Sequence, residues 1–419
     1  MASSPTSTFT FSPVMAQHLF EGAVDSSLAI VEGMTSYWAG ALARGASPLD
    51  MAEDAVGWWE ATLDRSEPTW SSPNEVVVAR PFAALRDFSQ GSRRRVVPTL
   101  VLPPQAGHHS SIIDFSRDQS QIDTIRGAGL ERVYGMEWIG ATRATRHTTI
   151  EDYIAFLDEA LDHIGEPVNL IGDCQGGWLA AIYAALRPEQ INTLTLAGSP
   201  IDFHAGDGPI FEWVKLLCST GDMSLYEAMV AAGGGVMPGD NVLAGFIVIK
   251  PDNEVVKQLQ LLTELGNEKH LERHRAFEDW FKFTQDLPGD FYLWIVRELF
   301  RDNKLITGEL EVGGEFVDLG RIDVPLYLLA GGTDHITPPP QVFAARDAVS
   351  TPASKVVERT TSGGHLGLFM GREALREHWP PILADVLRQS RKRAPSKPKA
   401  ERAARRRTPG GGGPAIPAP

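Results

Sequence analysis

Residues 166–180 have the sequence EPVNLIGDCQGGWLA, in which a short apolar strand turns abruptly into a helix. Residues 168–171 predict the buried strand, and the residues from Trp178 onward predict the helix. Between them, residues 172–176 have the form G-x-C-x-G, with glycines where a side chain would collide with neighbouring backbone. The helix N-terminus would point at the sulfur of Cys174 and favour a thiolate, with the Gln175 N–H placed where an oxyanion forms. The stretch predicts a nucleophilic cysteine, with a buried structural cysteine as the alternative.

Strands and helices alternate on both sides of this turn. Strands are predicted at 76–88, 97–104, 131–138, 193–199, 324–330 and 355–361, and helices near 116–127 and at 150–164, 177–187, 339–348 and 372–388. Such alternation is typical of an α/β protein with a mostly parallel sheet covered by helices on both faces. Helical patterns at 14–42 and 48–63 precede it, with Ser47 as the N-cap of the second helix.

Two polar residues follow the last two predicted strands. Asp334 comes directly after the strand at 324–330, and His365 comes after the strand at 355–361. Open α/β sheets place functional residues at the carboxyl ends of their strands. A nucleophile, an acid and a histidine in this chain order, with the nucleophile in a strand–turn–helix, are typical of the α/β-hydrolase fold. We therefore expect a Cys–His–Asp triad, in which His365 takes the thiol proton of Cys174 and Asp334 orients the imidazole.

The loop after the strand at 97–104 contains further candidates. In the α/β-hydrolase fold this loop supplies the second N–H of the oxyanion hole, and Gln105 or Ala106 would donate it here. His108 and His109 follow in the same loop and are candidate substrate contacts, with a structural role as the alternative.

Other residues have weaker signals. His335 would either orient Asp334 or face solvent. A carboxylate at Asp173 would disfavour a thiolate beside it, so we expect its side chain to point away into a hydrogen bond. Cys218 is expected to pack in the insertion. We find no convincing metal-ligand spacing, Walker sequence or dinucleotide fingerprint, and we expect no cofactor and no metal.

Composition indicates a globular protein of a reducing compartment. Hydrophobic residues make up 43% of the 419-residue chain, and two cysteines do not suggest a disulfide framework. The first residues have no basic and apolar signal regions, and no long apolar run predicts a membrane span, so we expect a cytoplasmic protein.

Charge is unevenly distributed along the chain. Residues 391–407 hold nine Lys or Arg against one Glu, which leaves 30 basic and 52 acidic residues elsewhere. This Pro-, Gly- and Ala-rich end cannot bury a core. It is either a solvated tail or an arm that binds weakly to nucleic acid or to an anionic particle.

The chain is expected to divide into five parts. By residue range these are 1–13 disordered, 14–75 helical, 76–201 and 306–389 the hydrolase core, 202–305 an inserted cap, and 390–419 a disordered basic tail.

Several separated segments resemble the polyhydroxyalkanoate (PHA) synthases, most closely the short catalytic subunits that work with a second subunit. They lie between about residues 97 and 387 and are GDCQGG at 172–177, SPIDF at 199–203, Trp280 with LPG at 287–289, NKL at 303–305, VDL at 317–319, DHITP at 334–338 and GHLG at 364–367. By similarity, the nucleophile, acid and base of that family correspond to Cys174, Asp334 and His365.

The resemblance implies a reaction and its partners. Cys174 would attack the thioester of a 3-hydroxyacyl-coenzyme A (CoA) and pass the acyl group to a growing polyester. A homo-oligomer or a partner subunit, and the surface of a storage granule, are implied as well. Residues 107–110, GHHS, are more similar to intracellular PHA depolymerases, so ester cleavage by Cys174 is the alternative reaction. A non-catalytic granule- or DNA-associated protein that binds through its basic tail is an alternative of another class.

Overall fold

The computed structural model of the protein describes residues 13–63, 66–92, 96–206, 208–218, 222–265 and 267–392. These residues do not include most of the two ends that were predicted to be disordered. Most of the proposed basic arm therefore also lies outside the described residues. The predicted limits move slightly, because a helix begins at Pro13 and the last helix continues to Lys392. Ser390, predicted to lie in the tail, is buried and its hydroxyl accepts a hydrogen bond from the Asn169 amide at 2.9 Å.

Two helices form the N-terminal segment. Helix α1 (Pro13–Ala43) is followed by α2 (Pro48–Leu63). The predicted N-cap is confirmed, since the Asp50 N–H donates to Ser47 Oγ at 3.3 Å and the Ser47 N–H donates to the Asp50 carboxylate at 2.6 Å. The first helix packs along a cap helix described below, so this segment lies against the cap.

An eight-stranded sheet forms the centre of the molecule. Its strands are β1 (Glu75–Arg80), β2 (Ala83–Asp87), β3 (Thr99–Leu102), β4 (Val133–Trp138), β5 (Val168–Asp173), β6 (Ile191–Ala197), β7 (Leu326–Gly331) and β8 (Val356–Thr361). Their spatial order is 1-2-4-3-5-6-7-8. Strands β3 to β8 are parallel, and β1 and β2 pair antiparallel at one edge. This is the α/β-hydrolase fold that the sequence predicted.

Two of the predicted elements were wrong in detail. The single strand predicted at 76–88 is the hairpin of β1 and β2, because the chain reverses at Pro81 and Phe82. The helix predicted near 116–127 begins only at Gln121. The buried Asp114 carboxylate accepts hydrogen bonds from Ser72 and Ser120, which hold residues 114–120 in a short two-stranded turn.

Helices cover both faces of the sheet. They are α3 (Gln121–Gly127), α4 (Ile150–Ile164), α5 (Gln175–Leu186), α13 (Pro339–Phe343), α14 (Ala345–Ala348), α15 (Gly367–Met370) and α16 (Trp379–Lys392). Helix α4 matches its predicted limits. Asp152 accepts from the Thr149 N–H at 2.8 Å at its start, and Gly165 adopts a φ of 81° after its end. Its apolar face packs on the sheet, where each fully buried Leu or Ile contributes about 2 kcal/mol.

The segment between β6 and β7 is mainly helical. It contains α6 (Pro209–Leu217), α7 (Ser224–Ala232), α8 (Gly239–Ile249), α9 (Pro251–Thr263), α10 (Glu268–Lys282), α11 (Gly289–Trp294) and α12 (Lys304–Thr307). We refer to residues 202–305 as the cap. Within the described ranges, no helix has the length and apolar character needed to cross a membrane.

Candidate active site

Cys174 lies at the turn between β5 and α5 in a backbone conformation that non-glycine residues rarely adopt. Its φ is 51° and its ψ is −118°, and it is the N-cap of α5. The turn is fixed by the Cys174 N–H, which donates to the Ala197 carbonyl at 2.9 Å, and by the Gly177 N–H, which donates to the Cys174 carbonyl at 2.9 Å. The conformation directs the sulfur out of the sheet edge and in front of the first N–H groups of the helix, which lack intrahelical partners.

The glycines of the motif are required by contacts with backbone. A Cβ at Gly176 would lie 2.1 Å from the Leu102 carbonyl oxygen, and a Cβ at Gly172 would lie 2.5 Å from the Gly177 Cα. Neither neighbour can move without displacing a strand or a helix. The G-x-C-x-G spacing is therefore a steric consequence of packing α5 directly onto β3 and β5.

His365 and Asp334 form a buried pair at the same edge of the sheet. Asp334 follows β7 and His365 follows β8, and His365 Nδ1 lies 2.7 Å from Asp334 Oδ2. The other carboxylate oxygen, Oδ1, accepts hydrogen bonds from the N–H groups of Ile336 and Thr337, both at 2.9 Å. Two backbone donors therefore orient the acid, and His335, the neighbouring candidate for this role, lines the cavity described below.

Electrostatics favour a positively charged imidazole in this pair. Burial by itself lowers the pKa of His365, but Asp334 and Cys174 together raise it well above its usual value. Because Asp334 holds Nδ1, the remaining nitrogen of the buried imidazole, Nε2, is the one available to Cys174. The arrangement suits proton exchange between the Cys174 sulfur and Nε2.

Asp173 points into the protein interior, as expected. Its Oδ1 accepts a hydrogen bond from Gln121 Nε2 at 3.3 Å, and its Oδ2 has no hydrogen-bond partner. Complete burial raises the pKa of Asp173 to about 8, despite the Gln121 hydrogen bond and the charge of His365, which lower it. The carboxyl group is thus mainly protonated at neutral pH and places little negative charge beside Cys174.

A cavity of about 400 Å³ contains both Cys174 and His365. Its floor comes from the core, and its roof comes from cap helices α8, α9 and α10 and the residues next to them. The core contributes Pro104, Ala106, His108, His109, Ile112, Cys174, His335, Ile336 and residues 364–367, and the cap contributes Phe246, Ile247, Lys250, Asn253, Glu254, Val256, Lys257, Gln260, Phe277, Trp280 and Phe281. Cys174 therefore faces a mostly apolar and aromatic space between the core and the cap.

The loop after β3 forms one wall of this cavity. Ala106 lines the cavity, whereas the buried Gln105 is not among the lining residues and its side chain lies beside Tyr153. Of the two candidates for the second oxyanion donor, the structure thus places Ala106 next to the site. Gln175, the other candidate donor, is the first residue of α5.

His108 and His109 are held by the same loop and by the cap. His108 stacks on the rings of Trp280 and Phe281 at centroid distances of 5.0 and 5.5 Å, and its Nδ1–H donates to the Ala106 carbonyl at 3.1 Å. Burial lowers the pKa of His108 to about 4 and also lowers the pKa of His109. Both imidazoles are therefore neutral at pH 7, and they line the cavity without carrying charge.

A buried ionic cluster in the cap was not predicted from the sequence. The Glu278 carboxylate is fully buried and contacts the ammonium groups of Lys257 and Lys282, and Lys257 also contacts Glu254 at 2.5 Å. Burial would raise the pKa of Glu278, but the two lysines outweigh it and lower the pKa. The i, i+4 spacing of Glu278 and Lys282 on α10 could have predicted their ion pair from the sequence. No such spacing predicts that Lys257, on another helix, also contacts Glu278.

Two comparisons relate the chain to known sequences. Residues 78–384 match the family described as "Protein of unknown function (DUF3141)". The poly(3-hydroxyalkanoate) polymerase subunit PhaC of Haloferax mediterranei is 27% identical over 347 residues, which cover 80% of this chain and 68% of that protein. The PhaC subunit of Haloarcula marismortui is 29% identical over 279 residues, which cover 65% of this chain and 57% of that protein. The chain thus spans about two thirds of the length of the first relative and a little over half of the length of the second.

A hydrolase from Pseudomonas aeruginosa PA01 superposes with a TM-score of 0.46 at 17% identity, covering 75% of this chain and 97% of that one. The family match extends over most of the chain, from β1 to α16. The chain therefore belongs to the DUF3141 family, and the predicted relationship to the polyhydroxyalkanoate synthase family is confirmed by its similarity to the PhaC subunits.

Proposed function

We propose that this protein is an acyltransferase that polymerises 3-hydroxyacyl-CoA through an acyl group carried on Cys174. One observation carries the proposal: a cysteine on the strained turn before α5 shares a cap-covered cavity with a histidine that is already paired with Asp334. Similarity to poly(3-hydroxyalkanoate) polymerase subunits supports the class of product, and the 3-hydroxyacyl-CoA substrate is what the resemblance to the PHA synthases implies.

The first half of the reaction acylates the cysteine. The Cys174 sulfur attacks the thioester carbonyl as its proton passes to His365 Nε2, and the Gln175 and Ala106 N–H groups would stabilise the oxyanion. When the carbon–sulfur bond to CoA breaks, the imidazolium returns the proton to the leaving thiolate. The raised pKa of His365 suits this role, because Asp334 stabilises the charged ring at each proton transfer.

The second half transfers the acyl group to a hydroxyl. The hydroxyl at the end of the growing chain gives its proton to His365 Nε2, and its oxygen attacks the acyl-cysteine carbonyl. An ester bond forms, the bond to Cys174 breaks, and the sulfur recovers the proton. The aromatic roof of Phe246, Trp280 and Phe281 favours this outcome over hydrolysis, because it reduces the access of water to the intermediate.

We also propose that the protein works at the surface of a cytoplasmic polyester granule, where its product accumulates. A specific observation keeps the depolymerase alternative open: His108 and His109 form a cavity wall in a loop similar to that of intracellular PHA depolymerases. In that case Cys174 would attack an ester of the polymer, and water or a thiol would release the acyl group. The same triad serves both reactions, so products must distinguish them.

The test compares three proteins with 3-hydroxybutyryl-CoA as substrate: the wild-type chain, Cys174→Ala and Cys218→Ala. Cys218 is the other cysteine of the chain, is buried in the cap and does not line the cavity, so its variant controls for the loss of a thiol. Free CoA thiol and turbidity are followed together. Mass spectrometry of quenched protein identifies any acylated cysteine.

Thiol release with polymer formation in the wild type and Cys218→Ala, lost in Cys174→Ala, is the expected result. Thiol release without polymer would make the protein a thioesterase and overturn polymerisation. No reaction with the thioester, together with loss of mass from amorphous polyester granules, would establish the depolymerase function.

A further inference from the structure

Helix α1 has two opposite faces, and among the residues that the structure describes it packs through one of them. The inner face consists mainly of small residues that approach α9 closely. A Cβ at Gly33 would lie 2.6 Å from Leu259, and one at Gly22 would lie 3.3 Å from Pro251. Tyr37 and Ala41 of the same face are buried. The helix is therefore firmly attached to the cap along its length, and its opposite face points away from the molecule.

That outer face is a continuous apolar stripe. We define the α1 stripe by the large side chains that share this face and are each between 37% and 76% exposed: Phe20, Val24, Leu28, Val31, Met34, Trp38 and Leu42. Side chains of this size present together roughly 600 Å² of apolar surface, close to the roughly 800 Å² that each partner buries in a standard interface. A patch this large on a soluble protein marks an interaction site.

The spacing of the stripe is symmetrical about Val31. Leu28 and Met34 lie three residues on either side of it, Val24 and Trp38 lie seven, and Phe20 and Leu42 lie eleven. In an antiparallel pairing centred on Val31, each large apolar side chain of the stripe would therefore meet another large apolar side chain, as in an isologous interface where residue i contacts residue j and residue j contacts residue i.

The charges of α1 argue against a lipid or anionic granule surface as the occupant. The helix carries Glu21, Asp25 and Glu32 and no Lys or Arg. Helices that lie on anionic surfaces are rich in Lys and Arg on their polar face. The three acidic residues also lie beside the stripe on one flank and leave its centre uncharged.

We infer that two copies of this chain associate through their α1 stripes, antiparallel and around a two-fold axis at Val31. In this arrangement Phe20 of one copy faces Leu42 of the other, and Val24 faces Trp38. The inference depends on neither the reaction nor the substrate. It assigns a specific surface to self-association.

Disulfide trapping tests the register. Helices that pack 8–10 Å apart bring Cα atoms on the contact line to about 4–6 Å, within the range of a disulfide. Val31→Cys is prepared in a Cys174→Ala background, where the remaining native thiol, Cys218, is buried. Asp25→Cys in the same background is the control, because it lies on the same helix but off the stripe. Both are exposed to oxidised glutathione at micromolar protein concentration.

We expect Val31→Cys to form a covalent dimer at least roughly 100-fold faster than Asp25→Cys, because association raises the local thiol concentration from micromolar towards millimolar. A mixture of Val24→Cys and Trp38→Cys chains should give the mixed disulfide. Equal rates for Val31→Cys and Asp25→Cys would overturn the inference, and disulfides between two Val24→Cys chains would overturn the antiparallel register.

Sedimentation of the unmodified protein provides an independent measurement. The wild type should sediment as a dimer, and the double variant Leu28→Glu with Val31→Glu should sediment as a monomer with an unchanged circular-dichroism spectrum. Asp25→Ser should remain dimeric. A wild-type chain that is monomeric at all micromolar concentrations, or a double variant that stays dimeric, would refute the proposed interface.

Discussion

Asp173 lies one residue before Cys174 and holds its carboxyl group in the protein interior, where ionisation is unfavourable. Its pKa is raised by burial from 3.8 to about 8. We predict that Asp173→Asn stabilises the protein and that the gain grows with pH. Asparagine keeps an oxygen that can accept the hydrogen bond from Gln121 Nε2. Its side-chain nitrogen would have no hydrogen-bond partner, but the atom that it replaces, Asp173 Oδ2, has none either. The substitution therefore removes an ionisable group without removing a hydrogen bond.

The size of the effect follows from the two pKa values. Between pH 3.8 and about pH 8 the folded chain retains a proton that the unfolded chain has released. Stability therefore falls as pH rises across this window, and it stops falling once the folded group also ionises. The cost that Asp173 imposes is on the order of 2 kcal/mol at pH 5, about 4 kcal/mol at pH 7 and about 5 kcal/mol at pH 8, as an upper limit.

Urea unfolding at these three pH values measures the effect. The difference in unfolding free energy between Asp173→Asn and wild type should increase from pH 5 to pH 8. Asp118→Asn, at an exposed aspartate, should show no such increase. A gain that does not depend on pH, or a variant less stable than wild type at pH 8, would mean that the Asp173 carboxylate is ionised and well solvated in the folded protein, and the reasoning would be refuted.

Three further predictions concern the site and its support. Asp334→Asn should lower kcat/KM for thiol release by about 10²–10⁴-fold, because His365 loses the carboxylate that stabilises its charge; an unchanged rate would remove Asp334 from the mechanism. Gly176→Ala should lower the free energy of unfolding by more than about 4 kcal/mol or prevent folding, because the added Cβ would lie 2.1 Å from the Leu102 carbonyl oxygen. A soluble variant with wild-type thermal stability would contradict this contact. Glu278→Ala should lower the free energy of unfolding, measured with urea, by about 3–5 kcal/mol, because its two lysine partners lose a buried counter-charge. Alanine at an exposed glutamate of the same helix should change that free energy by less than about 0.5 kcal/mol.

The centre of the fold was predictable because its rules are local. The strand, turn and helix around Cys174 follow from a run of apolar residues and from glycines that backbone contacts require. The positions of Asp334 and His365 followed from topology, because each comes directly after a strand of a parallel sheet. Residues at the ends of neighbouring parallel strands must lie at one edge, whatever the loops do.

Features that depend on distant contacts were not predictable in the same way. The hairpin of β1 and β2 was missed because both strands are apolar and the turn at Pro81 is only two residues long. His108 was a candidate substrate contact on sequence alone, and its neutral, stacked state depends on Trp280 and Phe281, more than 170 residues away. The position of Lys257 beside Glu278 likewise results from how α9 crosses α10.

Helix α9 has neighbours on both sides that come from distant parts of the chain. One side carries cavity-lining residues such as Asn253 and Lys257, and the other side carries Leu259 against the backbone of Gly33 in α1. Helix α1 is thus the outer support of a wall of this cavity. Removing α1 would disturb the cavity although Cys174, Asp334 and His365 all remained, so the unit that holds the cavity together does not begin at β1.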